Sequence, residues 1–158
     1  MKKKQRLYLI VGPSWVGDMV MAQSLFMTLK QLYVDCIIDV VSPEWSLPLL
    51  ERMPEVRRCI SLPVRHGEFS LLTRIKKGKS LRDCRYTHAI VIPRSWKSAL
   101  VPYFANVPVR TGYKGEMRYG LLNDIRVLDK QALRQTTQRY VAHAYDVECA
   151  KSPDISYP

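Results

Sequence analysis

The sequence has no long apolar run, no C-x-x-C pair and no complete nucleotide-binding glycine motif, and each absence removes a class of protein. A membrane-crossing helix needs roughly 20 consecutive apolar residues. Here the first apolar stretch, Leu7 to Val11, stops at Gly12-Pro13, and nothing later is longer than a core element. The opening Met1-Lys2-Lys3-Lys4-Gln5-Arg6 imitates the basic region of a secretory signal without the apolar core that must follow it. The chain is therefore expected to be soluble or peripheral. Its Lys-rich tip reads either as a solvated end before a strand or as a contact for anionic lipid. Cys36, Cys59, Cys84 and Cys149 are scattered and have no close histidine partners. No zinc site and no disulfide are expected, only reduced thiols.

Acidic residues are also scarce. Asp and Glu total 14 against 25 Lys and Arg, a formal charge of +11. Such a balance attracts phosphates, nucleic acid or an acidic membrane surface. Charge does not choose among these, but no nucleic-acid recognition motif is present.

What is present is a regular alternation of short β-branched runs and amphipathic stretches over 158 residues, 47% of them hydrophobic. That is enough for one core of ordinary size. Strands are predicted at Leu7–Val11, Cys36–Val41, Arg58–Leu62, His88–Ile92 and Val109–Gly112. Helices are predicted from Asp18 to Leu32, from Ser42-Pro43-Glu44 through Met53, over Phe69–Arg85 with Gly78 weakening its middle, over Ser95–Ala105, and over Ala132–Tyr145. The fold class is α/β: right-handed βαβ units forming a Rossmann-like parallel sheet flanked by helices. Lys151 to Pro158 reads as a frayed tail.

The most informative stretch is Gly12-Pro13-Ser14-Trp15-Val16-Gly17-Asp18, between the first strand and the first helix. Two glycine motifs fail on its residues. Gly12 and Gly17 have Walker A spacing, but Asp18 and Met19 stand where that motif needs Lys and Ser or Thr. The dinucleotide fingerprint needs three glycines, and only two occur. Asp18 then has two readings. It is a helix-terminal carboxylate favoured by the macrodipole, or a general base at the carboxyl end of a strand, where open α/β sheets bind ligands.

Two further clusters begin at strand ends. Ile92-Pro93-Arg94-Ser95-Trp96-Lys97-Ser98 repeats the strand–turn–helix plan with two cations. It is an anion clamp or a set of solvated charges at a helix start. Arg110-Thr111-Gly112-Tyr113-Lys114-Gly115-Glu116-Met117-Arg118-Tyr119-Gly120 mixes glycines, cations and aromatics. It is a ligand-closing loop or a basic turn whose tyrosines pack on the core.

These residues carry a family resemblance. Gly12 to Met19, Met53-Pro54-Glu55-Val56, Lys97 to Pro102, Arg110-Thr111-Gly112, Gly115 to Asp124 and Arg126 to Lys130 resemble the amino-terminal half of the lipopolysaccharide heptosyltransferases of glycosyltransferase family 9. The resemblance implies a GT-B glycosyltransferase, with two Rossmann-like domains and an active site in the cleft between them. On that pattern residues 1–150 form the acceptor-side domain, 151–158 the tail, and the carboxyl-terminal donor domain is absent.

The implied activity transfers L-glycero-D-manno-heptose from ADP-heptose to the first heptose of the inner core, with inversion. Asp18 matches the catalytic base, flanked by Ser14 and Gly17 of the same motif. Lys97, Glu116 and Arg118 match acceptor-side positions that meet the anionic Kdo–lipid A core, and His66 lies in a segment facing acceptor in the family. Arg94 departs from the pattern, where the family carries a small amide. No cofactor and no metal are implied.

ADP-heptose is expected to be held mainly by the absent domain, so this chain alone is expected to be inactive. The alternative reading is a non-catalytic fragment that binds core oligosaccharide or a separate donor domain. The expected location is the cytoplasm of a Gram-negative bacterium, peripheral at the inner face of the inner membrane.

Overall fold

Strand β1 (Leu7–Val11) is buried on both faces, and its alternation divides the interior in two. A computed structural model of the chain describes residues 4–64, 70–145, 155, 157 and 158. Tyr8 and Ile10 point to one side, where they meet Met19, Ala22, Leu25, Phe26 and Leu29 of helix α1 (Val16–Leu32). Leu9 points to the other side, against Val101 and Ala105. Burying each large apolar side chain of this kind contributes about 1.5–3 kcal/mol.

The remaining elements follow in alternation. Strand β2 (Ile37–Ser42) leads through a 3-10 turn (Glu44–Ser46) to a short helix α2 (Leu47–Leu50). Strand β3 (Val56–Ser61) precedes helix α3 (Leu71–Ser80), and strand β4 (His88–Val91) precedes a 3-10 turn (Trp96–Ala99) and helix α4 (Leu100–Phe104). Strands β5 (Val109–Tyr113) and β6 (Asp124–Arg126) lead to helix α5 (Thr136–Val141) and a closing 3-10 turn (Ala142–Ala144).

All pairings are parallel, in the order β3-β2-β1-β4-β5-β6. Because β2 lies on one side of β1 and β4 on the other, the chain reverses its direction of travel across the sheet between β1 and β4. Open α/β sheets bind ligands outside the carboxyl ends of the strands at such a switch point. Among the described residues, no helix is long and apolar enough to cross a membrane.

Several expectations are corrected. Helix α1 begins at Val16, which puts Asp18 inside its first turn. The segment after β2 is a 3-10 turn followed by the short helix α2, which ends at Leu50 rather than reaching Met53. The segment predicted over Ser95–Ala105 also opens as a 3-10 turn. Strand β6 was not predicted, because three half-buried residues give no periodicity to read. The helix expected from Ala132 starts at Thr136, where Gln135 and Gln138 form a capping box.

Gly78 is no weak point. A Cβ there would lie 2.7 Å from both Phe104 Cβ and the Val101 carbonyl oxygen, so glycine is what lets α3 and α4 touch. Of the expected tail only Ile155, Tyr157 and Pro158 are described, and the Tyr157 phenol donates to Gln135 Oε1 at 3.3 Å. Among the described cysteines, Cys36, Cys59 and Cys84 are free thiols.

Candidate active site

The carboxyl ends of β1 and β4 release two loops that part to leave two adjoining cavities. The larger, about 1000 Å³, lies over the ends of β1, β2 and β4, with Ser14, Glu44, Trp45, Arg74 and Lys97 on its walls. The smaller, about 340 Å³, holds Asp18 together with Trp15, Arg94, Tyr113, Arg139 and Tyr140. Ser14 and Pro93 line both, so the β1 and β4 loops form the partition between them.

Asp18 is half-buried in the first turn of a 17-residue helix. Its N-cap residue, Trp15, is extended and makes no side-chain capping bond. The Tyr140 side chain of α5 lines the same pocket. Burial, then the nearby Asp18 charge, push the Tyr140 phenol up to about 12. Tyr140 therefore keeps its proton at neutral pH.

The two glycines of the loop differ. A Cβ on Gly12 would come within 2.7 Å of Met19 Cε, so this position is packed. A Cβ on Gly17 would meet nothing within 4 Å. Its bareness serves no neighbour among the described residues, in a helical turn that alanine would favour.

Lys97 reaches the larger cavity half-buried, and makes no hydrogen bond or ion pair with a described residue. Arg74 of α3 is buried at 7% exposure and lines the same cavity. Sequence reasoning missed it among Lys76, Lys77 and Lys79. The available signal was its i, i+4 spacing to Gly78, which puts both on the inward face of α3.

Arg118 is turned inward, at 2% exposure. Its Nη1 donates to the carbonyls of Pro93 at 2.7 Å and Ser95 at 3.3 Å, and its Nη2 donates to the carbonyl of Tyr113. Burial, then the nearby Arg94 charge, hold its pKa down at about 10. In this geometry Arg118 joins the β4 loop to the β5 loop and presents no donor to either cavity wall.

Glu116 is exposed, and its Oε2 accepts the Trp96 N–H at 3.0 Å, at the start of the 3-10 turn that carries Lys97. Arg94, on the same seam, donates to the Lys114 carbonyl at 2.6 Å. A Cβ on Gly115 would fall 2.3 Å from the Arg94 carbonyl oxygen, so the two loops touch directly. His66 lies outside the described residues.

The one wholly buried carboxylate among the described residues, Asp39, belongs to the sheet. It accepts from Arg57 Nε at 3.0 Å and from the Tyr86 hydroxyl, and lines neither cavity. Among the described residues no cluster of three His, Cys, Asp or Glu side chains suits a metal ion.

A carboxylate at the switch point of a six-stranded parallel sheet, beside a cation-lined cleft, defines a Rossmann-like ligand-binding domain. The family model for glycosyltransferase family 9 (heptosyltransferase) matches residues 74–156, and the chain belongs to that family. It is 58% identical over 138 residues to lipopolysaccharide heptosyltransferase 2 of Escherichia coli K12, covering 87% of this chain and 40% of that protein. It is 52% identical over 146 residues to lipooligosaccharide heptosyltransferase 2 of Haemophilus influenzae, covering 92% of this chain and 42% of that one.

Among solved structures, E. coli ADP-heptose LPS heptosyltransferase II superposes with a TM-score of 0.82 at 54% identity, over 92% of this chain and 42% of that chain. E. coli heptosyltransferase WaaC with ADP gives 0.74 at 21% identity, over 96% and 49% respectively, a likeness of fold. The chain thus spans about two fifths of the length of the curated relatives it matches.

Proposed function

We propose that the chain supplies the acceptor side and the catalytic base of an inverting heptosyltransferase acting on the lipopolysaccharide inner core. The carrying observation is Asp18, set in the first turn of α1 at the β1–β4 switch point and lining a pocket beside the cationic cleft. A hydroxyl of the acceptor heptose attacks the anomeric carbon of ADP-heptose. The new carbon–oxygen bond forms as the bond to ADP breaks, the hydroxyl proton passes to the Asp18 carboxylate, and ADP leaves with the bonding electrons.

A helix N-terminus weakens a carboxylate as a base, because it favours the charged form. That weakness is tolerable, since a hydroxyl becomes strongly acidic as its oxygen bonds to carbon.

The larger cleft suits the anionic part of the acceptor. Lys97 and Arg74 offer cations to Kdo carboxylates or lipid A phosphates, and Ser14 lies between the two cavities. Glu116 and Arg118 act indirectly here, fixing the loop that presents Lys97. ADP-heptose is assigned mainly to the part of the relatives beyond the matched region. The reaction is placed at the cytoplasmic face of the inner membrane, where a lipid-anchored acceptor would be met.

The test is Asp18→Asn in the chain joined to the carboxyl-terminal portion of the E. coli relative. Heptose transfer is expected with Asp18 and is lost in D18N at unchanged melting temperature. Near-normal turnover in D18N would reduce Asp18 to a helix-terminal carboxylate.

A further inference from the structure

Helix α3 has an inward and an outward face. Arg74, Gly78 and the following Leu81 are buried at i, i+4 and i+7, and the close approach of Gly78 to Phe104 and the Val101 carbonyl sets that face against α4. At the same spacing the outward face carries Leu72, Lys76 and Lys79, all exposed. Leu72 is 69% exposed and Leu71 37%, in the turn whose Arg74 lines the larger cavity.

Positive charge is concentrated on this layer. The 10 residues of α3 include Arg74, Lys76, Lys77 and Lys79 and no acid. Arg82 and Arg85 follow with Asp83 between them, and Arg58 of the edge strand β3 comes within 3.9 Å of the Cys84 sulfur. On the opposite face of the sheet, the 17 residues of α1 carry only Lys30 and Asp18. Lys76, Lys77 and Lys79 make no ion pair with a described residue. A helix C-terminus favours cations, which accounts for Lys77 and Lys79. It does not account for adjacent leucines left in water at the other end of the helix.

Exposed leucines beside a run of unopposed lysines are the composition of an interfacial helix, whose apolar side chains enter the acyl boundary while its cations meet lipid phosphates. We propose that the outward face of α3 is a docking surface for an anionic phospholipid bilayer, with Leu71 and Leu72 at the headgroup boundary and Lys76 and Lys79 on lipid phosphates. Docking there sets the rim of the larger cavity against the surface on which a lipid-anchored acceptor is met, and in this the inference rests on the acceptor-side reading above. RNA would satisfy the lysines equally well but offers the leucines no apolar phase, so the bilayer fits the patch better.

Co-sedimentation of the purified chain with vesicles at about 0.15 M salt tests the surface. The chain is expected to bind phosphatidylcholine vesicles that contain about 30% phosphatidylglycerol, and not phosphatidylcholine alone. Lys76→Ser with Lys79→Ser should weaken that binding about thirtyfold, on the order of fivefold for each cation. Leu72→Ser should weaken it about tenfold, and the melting temperature should hold in both variants because the altered side chains are exposed. Lys130→Ser with Arg134→Ser removes the same charge from the exposed segment leading to α5, and should change binding less than about twofold.

An absence of vesicle binding overturns the proposal. So does an equal loss in the two double variants, which would assign binding to net charge, or binding indifferent to L72S. Tighter binding to single-stranded RNA than to the vesicles, dependent on the lysines and not on Leu72, would make the patch a nucleic-acid surface instead. Loss of affinity for a Kdo-containing core oligosaccharide in K76S/K79S would return the lysines to the acceptor and also overturn it. Vesicle binding as expected beside full turnover in D18N would leave this surface standing while the transfer reading falls. A dead D18N without vesicle binding would leave the transfer reading and remove the surface.

Discussion

Arg118→Met separates two roles that the sequence could not tell apart. Methionine preserves much of the stem volume and removes a guanidinium whose donors reach three carbonyls, those of Pro93, Ser95 and Tyr113. Ser98 Oγ still donates to the Pro93 and Ser95 carbonyls, but a hydrogen bond from a charged donor contributes about 1.5–3 kcal/mol, so the three together lose about 6 kcal/mol. Against this, the variant no longer carries a desolvated charge. The fall of the Arg118 pKa to about 10 puts that relief at about 3 kcal/mol.

The net expectation is a loss of about 3 kcal/mol, which for a chain of this size lowers Tm by about 6–12 °C. Lys97→Met is the control. Lys97 has no partner among the described residues, so its loss should move Tm by no more than about 2 °C. It should weaken binding of a Kdo-containing core oligosaccharide about tenfold. Thermal denaturation by circular dichroism, with calorimetric titration of the oligosaccharide, reads both quantities on the purified chain. An R118M variant that melts with the wild type and has lost only oligosaccharide affinity would refute the bracing role and return Arg118 to the acceptor.

Gly17→Ala should stabilise the chain and impair the enzyme, because the added methyl meets no protein atom within 4 Å and alanine favours the helix by up to about 1 kcal/mol. A rise in Tm with full transfer activity in the joined enzyme would show that the substrate does not approach Gly17. His143 should govern acid stability. Its pKa is lowered to about 4, first by burial, so the unfolded chain binds the extra proton between about pH 6.5 and 4, and stability falls as pH falls through that window. The loss is up to about 3 kcal/mol. Urea midpoints across this range should show the decline in the wild type and a flatter profile in His143→Phe. Equal slopes would assign the acid limb to other groups.

The legible parts of this protein are those that short-range pattern controls. Leu7–Val11 reads as a buried parallel strand and is one, and the apolar spacing from Met19 to Leu29 identifies the face of α1 that packs on it. The glycine-bounded loop marks Asp18 for the same reason: a strand that ends at a turn and a helix leaves its next carboxylate at the sheet's carboxyl edge.

Other features had no local cause to be read. Strand β6 exists because β5 offers it a free edge. The inward turn of Arg118 depends on carbonyls released by a loop some 20 residues earlier, and a cation in sequence looks the same whether it faces solvent or backbone. Tyr140 shares a pocket with Asp18 only because β6 and its connection carry α5 back to lie on α1. Sequence by itself determined most of the elements and the parallel α/β class, and marked Asp18 as the candidate base. Only the tertiary structure decided which charges face the cleft and which brace it, because those are contacts between segments that no periodicity connects.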